Sequence, residues 1–159
     1  MDRKLPTCGQ IERDLSQRIQ RLYREQLGHC PRKVTCKLFD RKVAVVIEDS
    51  LTILQKTLIE EDDGDETVKY VNLAIDNVIR SKLKVAIEEI IEIEVHDVLF
   101  DSSSKSNSAG AIVILTQSPL VRKRELMPKV RKDQYKKFVK DSEAVNSDNS
   151  AAAIEIENI

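Results

Sequence analysis

Apolar residues at Ile11, Leu15, Ile19, Leu22 and Gln26/Leu27 recur at three- and four-residue steps, one stripe of an amphipathic helix. Thr7 stands where an N-cap is needed, and Gln10 follows at capping-box spacing, so the helix is expected from about Cys8 to Leu27. Gly28 suits the left-handed residue that ends a helix, and Pro31 prevents continuation. The period then changes. Val34, Cys36 and Leu38 alternate with charged or hydroxyl side chains, the mark of a half-buried strand. Asp40-Arg41 separates this run from Val43–Ile47, which predicts an antiparallel hairpin. The second strand is apolar on both faces and is expected inside the sheet or beneath helices.

Ser50 or Thr52 is placed to cap a short helix through Leu54, Leu58 and Ile59. The acidic run Glu60-Glu61-Asp62-Asp63-Gly64-Asp65-Glu66 interrupts the pattern. A longer helix follows, with Val68, Val71, Ile75, Val78/Ile79, Leu83, Ala86/Ile87 and Ile90 on one broad face. Val95–Asp101 and Gly110–Thr116 read as a second strand pair joined by the Ser-rich loop Ser102–Ala109.

The order is therefore α-ββ-αα-ββ, and the expected fold is α+β: three helices on one face of a four-stranded, largely antiparallel sheet. Residues 7–118 form the expected domain. After Pro119 the chain turns basic and then polar and acidic, so 119–159 is expected to be a largely disordered tail. Long apolar helix faces and alternating strands leave more aliphatic surface than one thin layer covers, so a homodimer is expected.

Composition narrows the partners. Of 159 residues, 33% are charged, yet the formal net charge is −1, which argues against a long-range field for nucleic acid. Aromatic residues make up 4% and Trp is absent, so the core must be aliphatic and no stacking face for nucleic acid is in view. No secretory leader and no run of about 20 apolar residues is apparent. Three cysteines cannot all pair within one chain, which favours reduced thiols. A cytoplasmic protein is expected.

Candidate chemistry is sparse. Cys8, His29, Cys30 and Cys36 lack the close ligand pairs of a zinc site, and Cys36 falls on the apolar face of its strand. The acidic run lacks the alternating ligands and closing Glu of a calcium loop. His96 and Asp97, as neighbours in a strand, point to opposite faces and do not converge. With no phosphate loop and no nucleophile elbow, the chain is read as non-enzymatic and without a cofactor.

Two sets of basic residues are candidate contacts. Arg32, Lys33 and Arg80 are candidate anion contacts. Arg122, Lys123, Arg124, Lys129, Arg131, Lys132, Lys136 and Lys137, interleaved with Leu126, Met127 and Val130, are candidate contacts to a partner or an anionic lipid surface.

One resemblance is carried by Tyr23, Gly28-x-x-Pro31-x-x-Val34, Leu38-Phe39-Asp40-x-x-Val43-x-Val45, the Leu51-Thr52 helix start, Arg80, Glu88-Glu89-Ile90-Ile91 and the strand Ile112–Thr116. In that order and spacing, residues 11–118 resemble the MpsC family of small bacterial proteins. The resemblance implies a place in a cation-translocating, membrane-potential-generating system linked to inorganic-carbon supply. There, a membrane subunit similar to proton-pumping antiporters works with soluble partners. It brings no catalytic residues. The expected role is an accessory module acting through protein contacts with a membrane transporter subunit, peripheral to the inner face of the plasma membrane. The alternative is a small domain that senses an anion or metabolite.

Overall fold

The computed structural model describes residues 4–62 and 65–122. The element order is α1 (Cys8–Leu27), β1 (Lys33–Phe39), β2 (Lys42–Glu48), α2 (Ile53–Asp62), α3 (Glu66–Ile91), β3 (Val95–Ser103) and β4 (Ser108–Leu115). The α+β class and the α-ββ-αα-ββ order match expectation. The strand order across the sheet is β1-β2-β4-β3, with every neighbouring pair antiparallel.

Helix α1 starts as its sequence dictates. The Thr7 hydroxyl accepts from the Gln10 N–H, and the Gln10 side chain accepts from the Thr7 N–H at 2.8 Å. It stops at Gly28, whose φ of 62° needs no Cβ and whose N–H returns to the Arg24 carbonyl. Helix α2 is capped by a buried reciprocal pair, in which Gln55 N–H donates to the Thr52 hydroxyl and the Gln55 side-chain oxygen accepts from the Thr52 N–H. Asp65 caps α3 by accepting from the Thr67 N–H. At the far end of α3, Glu92 takes the left-handed conformation that glycine more often supplies.

One face of the sheet is buried. Cys36 and Leu38 of β1, Val43, Val45 and Ile47 of β2, Ala111, Val113 and Leu115 of β4, and Val95, Val98 and Phe100 of β3 form one cluster. Ile11, Leu15, Ile19, Leu22 and Tyr23 of α1 and Ile79, Leu83, Ile87 and Ile91 of α3 belong to the same cluster. Within the Val78/Ile79 pair, Ile79 is the buried member and Val78 is solvent-facing. The core extends past residue 118: Val121 is buried, and the Arg122 N–H donates to the Pro6 carbonyl at 2.9 Å.

The second hairpin is longer than its composition suggests. Ser102 pairs with Ala109 and Ser103 with Ser108, so strand continues where a Ser-rich loop was expected. The turn closes tightly because Asn107 adopts a positive φ of 49°. Asn107 then reaches the other hairpin. Its carbonyl accepts from the Asp49 and Ser50 N–H groups, its side-chain oxygen accepts from the Leu51 N–H at 2.9 Å, and its amide donates to Asp49 Oδ1 at 2.7 Å. Lys56 Nζ bonds the same Asp49 oxygen at 2.9 Å, and His29 Nε2 donates to the Asp49 carbonyl at 2.6 Å. Asp49 is itself at positive φ, 58°.

Asn107→Ala removes two side-chain bonds and leaves a Cβ residue in a left-handed turn. It is expected to lower stability by about 2 kcal/mol, measured by urea unfolding. The Lys56 ammonium and the Asn107 amide hold the Asp49 carboxyl below its ordinary value. A depressed folded pKa contributes stability that is present at neutral pH and lost as pH falls through that value. The gap between the parent and Asp49→Asn at pH 7 should therefore close below about pH 4.

Candidate interaction surface

The strand registers place the outward-pointing residues in rows across β1, β2, β4 and β3. One row is Lys37, Ala44, Ile112 and Leu99; the next is Thr35, Val46, Gly110 and Asp101; on the other side lie Phe39, Lys42, Ile114 and Asp97. The middle of this face is apolar and open: Val46 is 50% exposed, Leu99 56% and Ile112 37%. Gly110 leaves a hollow between Val46 and Asp101, and Arg80 reaches its margin. The β1 side of the face carries Lys37, while the β3 side carries Asp97 and Asp101. Apolar β2 does lie inside the sheet, as expected, but its outer face is uncovered, because α1 and α3 both pack against the inner one.

The two edges are shielded differently. At β1, Glu12 of α1 accepts the Leu38 N–H at 3.0 Å with one oxygen and meets Lys37 Nζ at 3.3 Å with the other. At β3, Arg80 of α3 donates to the Phe100 carbonyl at 3.2 Å, and the Ser102 hydroxyl donates to Asp76 Oδ2 at 2.6 Å. One backbone group on each edge is thus taken by a side chain from a helix, which interrupts the row a further strand would pair with.

A second open apolar surface runs along the helices. Tyr70, Leu73, Val78 and Val85 of α3 are 70%, 56%, 46% and 51% exposed; at about 100° per residue they spread over more than a third of the helix circumference, with Leu73 beside the buried stripe and Tyr70, Val78 and Val85 facing away from it. In the first turn of α2, Ile53 and Leu54 are also exposed, and Gln55 Nε2 donates to Asn72 Oδ1 at 3.0 Å, which brings that turn alongside α3 on the side where its core residues lie. The helical period called attention to only one face of α3. The second is broken by Asn77 and Ser81 and is legible only once the buried side is known.

The basic residues singled out in the sequence do not assemble into one site. Arg32 bonds Glu48 at 3.1 Å and Lys33 is exposed on β1, while Arg80 sits at β3, across the width of the sheet. Arg122 is exposed beside Pro6; Lys123, Arg124, Lys129, Arg131, Lys132, Lys136 and Lys137 lie outside the described residues, as do Asp63 and Gly64 of the acidic run. His96 is the extra residue of a β-bulge between Val95 and Asp97, so both His96 and Asp97 are exposed. Asp97 spends one oxygen on the Val98 N–H.

The cysteines are placed apart in chemistry. Burial pushes the Cys36 thiol up to about 11, and burial followed by the nearby Glu12 carboxylate raises Cys8. Cys30 is exposed. Among the described residues no group of three or more His, Cys, Asp or Glu side chains is placed to hold a metal ion. Among the described residues, too, no helix is long and apolar enough to cross a membrane.

Burial raises the Asp76 carboxyl above its ordinary value, opposed by the Ser102 hydroxyl and the Arg80 charge and reinforced by the charge of Asp101. A raised folded pKa gives stability that is complete at low pH and is lost as pH rises through it. Asp76→Asn keeps an oxygen acceptor for Ser102 without the charge. Its melting temperature should equal or exceed that of the parent at pH 7, with any gain vanishing below about pH 4.

Comparison with known proteins adds one match. A family model described as Na+-translocating membrane potential-generating system (MpsC) matches residues 7–117. No curated protein and no solved structure matches the chain. The match begins at the N-cap of α1 and ends just after β4, so it takes in every described helix and strand. The chain belongs to the MpsC family.

Proposed function

We propose that this protein is a non-enzymatic accessory module of a Na+-translocating, membrane-potential-generating system, acting by protein contact with a membrane transporter subunit. The observation that carries the reading is the number of large apolar residues left exposed on α3 and α2. Leu73, Val78, Val85 and Ile53 are held in water on helices, which suits contact with a partner. Polar side chains such as Asp49, Asn107, Glu12 and Arg80 serve to join elements, which favours a contact role over catalysis. Family membership supports the choice of a membrane partner. The basic residues from Arg122 to Lys137 add a second attachment, to the anionic cytoplasmic surface of the membrane.

Sensing of an anion has less support. The Arg32 charge meets Glu48, and Arg80 is engaged with the Phe100 carbonyl.

The test is affinity capture from gently solubilised native membranes, using the full chain, a chain ended after Arg122, and a Leu73→Glu/Val85→Glu variant. The truncation point follows the buried Val121. The full chain should recover a membrane transporter subunit, the double variant should lose it, and the truncated chain should recover less. Recovery of no membrane protein by the full chain, or undiminished capture by the folded double variant, overturns the reading.

A further inference from the structure

We propose that the open face of the sheet is the interface between two copies of this chain, packed face to face about a two-fold axis that runs along the strands. This rests on the sheet alone and is independent of the exposed helix residues.

Three arrangements of two sheets are available, and the side chains separate them. Edge-to-edge pairing needs free backbone groups, but Glu12 occupies the Leu38 N–H on β1 and Arg80 the Phe100 carbonyl on β3. Face-to-face packing about an axis across the strands sets β1 against β1 and β3 against β3. Lys37 then approaches its own counterpart, and Asp97 and Asp101 approach theirs, so like charges oppose along both margins.

An axis along the strands does the reverse. It sets β1 of one copy over β3 of the other, and β2 over β4. Each row then faces itself in reversed order. Ala44 falls opposite Ile112 of the second copy, and Val46 falls opposite its Gly110, so large side chains meet small ones in these two rows, while in the third Lys42 falls opposite Ile114. Gly110 is suited to receive a side chain: it is in the hollow beside Val46, and it has none of its own. Lys37, which also meets Glu12 of its own chain, comes between the rows that hold Asp97 and Asp101 of the second copy, so a cation faces two carboxylates along both margins, with Arg80 at the border of the same hollow.

The surface is modest. Four strands spaced about 4.8 Å apart and seven residues long span roughly 20 Å by 23 Å, on the order of 450 Å² in projection for each copy. Doubled, that lies below the roughly 1,200 Å² at which stable interfaces begin and in the range of weak, transient ones, so the dimer should be weak, with a dissociation constant in the micromolar range.

Sedimentation equilibrium on the full chain, across concentrations up to tens of micromolar, tests it. The expected result is a monomer–dimer equilibrium. Val46→Glu, at a half-exposed site where the isolated fold tolerates it, should weaken the dimer at least about tenfold. Leu73→Glu on α3 should leave it unchanged. Lys37→Glu alone and Asp97→Lys/Asp101→Lys alone should each weaken self-association. Mixed together, they should form a heterodimer, because the chosen axis brings each reversed margin against its complement. Circular dichroism verifies that each variant is folded. A strict monomer at every concentration, a dimer indifferent to Val46→Glu, or a failure of the two charge variants to pair overturns the proposal.

Discussion

Burial of the inner sheet face by α1 and α3 is the constraint from which the remaining contacts take their meaning. With an aliphatic core and no Trp, packing supplies little directional information, since Leu, Ile and Val attract one another without preference for angle. Direction comes from polar bonds at the margins. Glu12 ties α1 to β1, Arg80 and Asp76 tie α3 to β3, and each bond fixes where a helix lies over the strands. Arg18 joins the two helices by bonding Glu89 at 3.3 Å. The same bonds that orient the helices also occupy the sheet edges. Edge protection and helix placement are thus one device.

This economy explains why the chain is rich in charge and poor in recognisable chemistry. Carboxylates and guanidinium groups that look available in sequence are used to close backbone positions or to join elements. The surfaces left over are apolar: the outer sheet face and exposed positions on α3 and in the first turn of α2.

Much of the fold was legible because its signals are local. Thr7 and Gln10 announce α1, Gly28 ends it, and the alternation at Val34, Cys36 and Leu38 marks β1. Thr52 with Gln55 was one of two caps in view, and only the structure selects it. Strand order was not legible, because the β2–β4 pairing joins segments with two helices between them. Nor was the role of Glu12, which reads as one more acid on a helix surface until Leu38, 26 positions later, is brought beside it. The Ser-rich stretch 102–109 was read as loop from its composition, but cross-strand pairing extends strand into it. The open face of β2 was not legible for a related reason. Val46 is as apolar as Val45, and nothing in the spacing says which face the helices cover.

The junction of Asp49 and Asn107 also bears on how the chain reaches this state. Each hairpin and the α2–α3 pair form from neighbours in sequence, and such units assemble quickly. The β2–β4 ladder is different, since it joins Glu48 to Ser108 and Lys42 to Ile114 across sixty or more positions. Closing that loop is the slow, entropically expensive event, and it has to happen at the centre of the sheet. Asn107 and Asp49 stand at the end of this ladder where the intervening segment is shortest, with both backbones already turned into the left-handed region. Two hairpins that arrive separately are fastened at that corner by side-chain as well as backbone bonds, so it is the end of the ladder least free to fray.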